Sequence, residues 1–216
     1  MFRKKSISAA NVIFTVKITG KGSHGSMPHQ STEPVVAADA LVQSLQQIVS
    51  RELDPAESAV LTVGYIKCST CRCNIIPEQT EIGGTIRYYS PELRETIEGA
   101  FRRIVQGISR AFRVESDIFY VNACVPVYND PVLTRFAAVS AAGLSPEIHV
   151  MDRFKTAAAE DFAFYQQRLP GVFLFLGSGS QTCCQPLHSP YYDIDGQSLS
   201  LGCALYCKLA VDYLNS

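Results

Sequence analysis

Between Phe14 and Val121 the spacing of apolar residues switches between two and three-to-four in a set order, and that order narrows the possible folds most. Phe14, Val16 and Ile18 alternate with Thr15, Lys17 and Thr19, the period of a half-buried strand. Thr32-Glu33-Pro34 then has the residue types that open a helix. Its apolar face would be Ala38, Leu41, Leu45, Ile48 and Val49, and Asp54-Pro55 would stop it. Val60 to Ile66 and Gln79 to Tyr89 read as two more strands. The second puts Ile82, Gly84, Ile86 and Tyr88 on one face and Gly83, Thr85 and Arg87 on the other. Ser90-Pro91-Glu92 caps a second helix whose stripe is Leu93, Ile97, Phe101, Ile104, Ile108 and Phe112, and Asp117 to Val121 is a fourth strand. Strand, helix, strand, strand, helix, strand is the split, ferredoxin-like βαββαβ arrangement. Two helices cover one face of a four-stranded antiparallel sheet, and the other face is left wet or used for contact.

From about Val125 the pattern changes. Asn129-Asp130-Pro131 opens a helix to about Ala142, and Ala157 to Gln167 reads as another. Val172 to Leu176 is a continuous apolar run suited to a strand buried on both faces. Residues 178–190 form a Ser/Gly/Pro/Cys-rich loop carrying His188, and Ser198 to Leu214 reads as a closing amphipathic helix. Such a piece buries its apolar run only against further sheet, so it is expected to be part of a larger domain, to be poorly soluble alone, or to associate through exposed surface. The first part, through Val121, should fold by itself.

Bulk properties exclude some classes. The 216 residues carry 19 basic and 20 acidic side chains, a net charge of -1, which argues against nucleic acid as a partner. No apolar run reaches the ~18–20 residues that span a membrane. Arg3, Lys4 and Lys5 faintly resemble an organellar leader, but strand alternation begins by Val12, so a cytoplasmic location is expected. The eight cysteines are expected to be reduced thiols. Cys68-x-x-Cys71-x-Cys73 is half a zinc site, and a zinc or redox protein needs Cys183-Cys184 brought to it.

The chemistry-bearing stretch is Gly22-Ser23-His24-Gly25-Ser26-Met27-Pro28-His29, which puts two of the four histidines into a loop bounded by glycine and proline. With it stand Asn74-Ile75-Ile76-Pro77-Glu78, Gly84-Thr85-Ile86-Arg87, Asn129-Asp130, Glu160-Asp161-Phe162 and Leu187-His188-Ser189-Pro190. In this order and spacing they resemble the zinc-dependent aminoacylase-type metallopeptidases and amidohydrolases, in the branch of hippurate hydrolase and the auxin–amino acid conjugate hydrolases. The resemblance covers roughly residues 12–214. It implies an α/β catalytic domain interrupted by a smaller α+β lid that dimerises. Residues 14–122 would be the lid, 123–216 the C-terminal part of the catalytic domain, and 1–13 a remnant before the lid.

The resemblance also implies roles. His24 would reach the partner subunit's active site and stabilise a developing oxyanion, Asn74 and Arg87 would bind the substrate's carboxylate, and His188 would be the last metal ligand. Two divalent metal ions, zinc or manganese, would activate water to cleave the amide bond of an N-acyl amino acid or a peptide-like conjugate. Glu160-Asp161 would lie near the active site, while His29 is structural and His149 has no motif around it. The family's earlier metal ligands have no counterpart here, and no Glu-Glu pair supplies the general base. A fragment inactive on its own is therefore expected. A non-catalytic dimerisation module related to that family is the alternative.

Overall fold

A computed structural model describes residues 5–146, 148–151 and 154–216. The Arg3-Lys4 part of the leader-like segment lies outside them. In chain order the strands are β1 (Lys5–Ser6), β2 (Ala10–Thr19), β3 (Ser23–His24), β4 (Val60–Cys68), β5 (Ile75–Ile76), β6 (Gln79–Tyr88), β7 (Glu115–Cys124) and β8 (Tyr128–Asn129). The helices are α1 (Pro34–Gln47), α2 (Pro91–Phe112), α3 (Pro131–Ala142), α4 (Phe162–Gln166) and α5 (Gln197–Leu214). They form two compact units. One holds Ser8–Pro126 with Ala157–Asp161; the other holds the segment ending at Ile7, Val127–Thr156 and Phe162–Ser216.

In the first unit a four-stranded antiparallel sheet has the order β4-β6-β2-β7. Its inward residues are those that the period of two selects. Val12, Phe14, Val16 and Ile18 of β2 and Ile82 and Ile86 of β6 are buried against Leu41 and Leu45 of α1 and Ile97, Phe101 and Ile104 of α2. Phe101 stacks edge-on against Phe14 with ring centroids 4.9 Å apart, and against Tyr120 at 5.9 Å. Ser90 caps α2 by accepting from the Leu93 amide. Thr32 does not cap α1: that position falls to Glu33, without a side-chain bond, and the Thr32 hydroxyl accepts from the Lys21 amide at 2.8 Å instead. Between β4 and β6 the register shifts around Gly64, and the Tyr65 ring covers Gly83 so closely that a Cβ there would overlap it. The outward sheet face carries the row Lys67, Glu81, Lys17, Asp117 across four strands. It also exposes Ile13, Phe119 and Val121.

Tyr120 sits at the edge of this core, and its hydroxyl is buried with no hydrogen-bond partner among the described residues. Burial pushes its pKa up to about 12. The fold therefore favours the neutral phenol. Its stability is untouched below the unfolded-state value of about 10 and falls as pH rises from there towards 12. Tyr120→Phe should lose little or no stability at neutral pH, since it removes an unsatisfied polar atom. It should also flatten the alkaline limb of a denaturant-midpoint against pH curve, while an unchanged limb would sink this account.

In the second unit β1 pairs with β8, and a small apolar cluster joins Ala137 and Ala141 of α3 to Leu205 of α5. Asp130 caps α3 with Oδ1 accepting from the Val132 and Leu133 amides at 2.9 and 2.8 Å. Two expectations need correction. Val172–Leu176 forms no strand, because no neighbouring strand lies beside it among the described residues. The run is half-buried, and a side chain holds it at Phe173: buried Asn129 donates from Nδ2 to the Phe173 carbonyl and accepts the Phe173 amide at Oδ1, both at 2.8 Å. The amide thus imitates one rung of a sheet. The helix expected over Ala157–Gln167 shortens to α4, and Ala157–Asp161 belongs to the first unit.

Asn129→Ala would strand both backbone groups of Phe173. Its expected cost is about 1–3 kcal/mol, measured by denaturant unfolding. Many apolar side chains stay exposed here, including Val132 and Val139 on α3 and Leu199, Tyr206, Val211 and Leu214 on α5. No helix among the described residues is long and apolar enough to cross a membrane.

Candidate functional site

The Gly22–His29 stretch is built around a short ladder. β3 pairs antiparallel with β5, Ser23 opposite Ile76 and His24 opposite Ile75. Strand β2 leads into it through the Gly20 amide, which donates to the Glu78 carbonyl at 2.8 Å, and through the Lys21–Thr32 bridge. Backbones approach so closely that a Cβ on Gly20 would strike the Thr32 carbonyl oxygen. A Cβ on Gly22 would lie 2.9 Å from that of Ile76. These are contacts only glycine admits. Past β3 the chain turns back, with the Met27 amide donating to the His24 carbonyl at 2.8 Å and Pro28–Gln30 forming one 3-10 turn. His29 lies in that turn and is exposed.

His24 is exposed, and its ring folds over this turn. The Ser26 amide donates to Nδ1 at 3.1 Å, and the Ser26 hydroxyl lies 2.8 Å from the same nitrogen. The Gly25 amide donates to the Asn74 carbonyl at 2.8 Å, so the ladder sets His24 and Asn74 side by side on neighbouring chain segments. An open groove of about 490 Å³ is lined by His24, Thr70, Ile75, Pro77 and Glu78 among others. Asn74 is exposed.

Arg87 does not join this pair. It lies near the far end of β6, while Glu78 and Gln79 mark the end beside His24. Eight residue steps at the strand rise separate Gln79 from Arg87, roughly 26 Å. At its own end the Arg87 guanidinium donates Nη1–H to the Ala157 carbonyl at 3.1 Å. Asn11 stands opposite Arg87 on β2, and Cys124 stands opposite Asn11 on β7. Burial pushes the Cys124 thiol pKa up, the Asp161 and Glu160 charges push it the same way, and Arg87 opposes them. Glu160-Asp161 lies in the same unit as Arg87, just before α4 rather than inside a longer helix.

His188 belongs to the other unit. It is exposed and holds a left-handed backbone with φ of 70°, unusual for a residue with a side chain. His149 is also exposed in that unit. Among the described residues no three His, Cys, Asp or Glu side chains gather as metal ligands would. Cys68, Cys71 and Cys73 do not gather into such a group among themselves, and Cys71 and Cys73 are exposed thiols. Nor do the described residues make a two-metal centre. Ser26 escaped the sequence reading. A serine two positions after a loop histidine has the spacing of a side-chain-capped turn, and that was the available signal.

The sequence pattern of the peptidase family M20/M25/M40 matches residues 24–212. The chain is 35% identical over 182 residues to N-acetyl-L-cysteine deacetylase of Bacillus subtilis (strain 168), covering 84% of the chain and 42% of that protein. It is 32% identical over 226 aligned positions to IAA-amino acid hydrolase ILR1-like 4 of Arabidopsis thaliana, covering 98% of the chain and 49% of that protein. Among solved structures, a putative aminohydrolase from methicillin-resistant Staphylococcus aureus superposes with a TM-score of 0.86 at 29% identity, over 98% of the chain and 54% of that protein. A dinuclear metal-binding peptidase of the M20 family from Bacillus subtilis does so at 0.79 and 25% identity, over 99% and 52%. The chain spans about half the length of the relatives it matches.

Proposed function

Because the chain belongs to the peptidase family M20/M25/M40, we propose that it is the lid and C-terminal part of a metal-dependent amidohydrolase that cleaves the amide bond of N-acyl amino acids or small conjugates. The names of the matched relatives, a deacetylase acting on an N-acetyl amino acid and a hydrolase of IAA–amino acid conjugates, support that substrate class. The observation that carries the reading is the turn at His24. With Nδ1 occupied by an amide donor, the neutral ring offers Nε2–H, the group a developing oxyanion needs. Hydrolysis adds water to the carbonyl carbon, and negative charge collects on the carbonyl oxygen as the new C–O bond forms; the C–N bond breaks when that charge returns to re-form the C=O bond and the amine leaves with a proton. A hydrogen bond from His24 would strengthen as the charge collects.

The remaining roles belong to the same reading. Asn74, held beside His24, would take the same substrate's polar groups. Arg87 could grip a carboxylate with two parallel hydrogen bonds. The roughly 26 Å between the strand ends is too far for one small substrate to touch both in one chain. His24 with Asn74 and Arg87 then serve different active sites of a homodimer. The strand order β4-β6-β2-β7 with two helices on one face supports a ferredoxin-like lid as the dimerising part. Zinc or manganese ions belong to the whole enzyme. Of its ligand set this chain would contribute His188.

The alternative, a non-catalytic dimerisation module, is separated by one experiment. A full-length deacetylase of the family, made inactive by substituting its own lid histidine, is mixed with this chain and assayed on N-acetyl-L-cysteine. The chain alone should be inactive, and the mixture should regain activity that a His24→Ala version of the chain does not restore. Mixed dimers without regained activity would favour the module.

A further inference from the structure

The Ser26 contact goes beyond a turn-forming hydrogen bond. A backbone N–H can only donate, so the 3.1 Å bond from the Ser26 amide requires a lone pair on Nδ1 of His24. The Ser26 hydroxyl, 2.8 Å from that nitrogen, must then donate as well. The backbone that carries the ring is held as well: the Met27 amide donates to the His24 carbonyl at 2.8 Å, and the Ser23 hydroxyl's one proton is shared between the His24 and Met27 carbonyls, each at 3.2 Å. Gly25 completes the arrangement. A Cβ there would lie 3.2 Å from the Asn74 carbonyl oxygen, so the tight turn that brings Ser26 under the ring depends on a small residue.

We propose that Ser26 is a positioning residue that sets the tautomer and orientation of His24: its amide and hydroxyl share the single lone pair of Nδ1 and keep the neutral ring's proton on Nε2. This rests on the reading of His24 as the carbonyl-polarising group. An imidazole that exchanges tautomers, or swings on an exposed loop, presents a lone pair for part of the time and repels an oxyanion. Ser26 removes that fraction. The side chain acts through His24 and need not touch substrate.

The test is nitrogen-15 NMR of the histidine rings in this chain, at a pH of about 8 where an ordinary imidazole is neutral. The His24 signals are assigned by their loss in His24→Gln. Nδ1 should appear unprotonated and Nε2 protonated, with little mixing, whereas the exposed His29 serves as the averaged reference. Ser26→Ala should move the His24 shifts towards that reference, and Ser26→Thr should restore them. A mixed His24 in the unsubstituted chain, or a Ser26→Ala spectrum identical to it, would overturn the proposal. In a complete dimeric enzyme carrying this lid, Ser26→Ala should lower kcat about tenfold with less effect on KM, and Ser26→Thr should recover most of it. Loosened tautomers with undiminished kcat would instead overturn the role of His24, leaving the Ser26 assignment standing, so the two failures are told apart.

Discussion

His24→Ala in a complete dimeric enzyme carrying this lid should reduce kcat by about 10²–10³-fold, the usual cost of deleting one oxyanion donor. KM should change far less, because the bond to the carbonyl oxygen matters most once charge has developed there. The fold should survive. His24 is exposed, and the β3–β5 ladder is held by backbone bonds that the substitution leaves in place. Thermal melting should therefore match the parent within a degree or two, by the small effect expected of an exposed site. His24→Gln is the informative companion, since it keeps a donor near the same place and should recover part of the loss. A kcat within a few-fold of the parent for His24→Ala would end the oxyanion reading and leave the lid with a role in assembly.

Phe101→Ala should be the most damaging substitution for stability, costing about 3–5 kcal/mol. Phe101 is fully buried at the centre of α2 and meets Phe14 and Tyr120 edge-on. Its removal takes away apolar burial, two aromatic contacts and the wedge between helix and sheet. The cavity cannot collapse easily, because Phe14 is anchored on β2, which is paired on both sides. The denaturant midpoint of the Ser8–Pro126 unit should drop sharply, and the slope should stay the same if unfolding remains cooperative. Phe101→Leu keeps much of the volume and should cost well under half as much. A loss below about 1 kcal/mol for Phe101→Ala would mean that the core in solution is not packed as described.

Local pattern was a good guide wherever a residue's environment follows from its neighbours in the chain. The alternation of β2 and β6, the stripe of α2, the Ser90 cap and the Asp130 cap all follow from spacing and side-chain chemistry within a few residues. Thr32 had the right chemistry for a cap and was drawn instead to Lys21, a partner eleven residues away. The run Val172–Leu176 had the composition of a buried strand. Composition cannot supply a pairing partner, and the rung at Phe173 comes from a side chain, Asn129, more than forty residues earlier.

The same division holds at the candidate site. His24, Asn74, Arg87 and His188 are candidates drawn from motif order and spacing, which need no coordinates. Their grouping needs the fold. His24 meets Asn74 because β3 and β5 pair across a fifty-residue separation, and Arg87 is kept away by the length of β6. Which nitrogen of His24 holds the proton depends on the direction of the Ser26 amide, a property of the folded turn. Residue type sets what chemistry is possible. Distance and donor direction, which come only from long-range pairing and turn geometry, set which of those possibilities this chain realises.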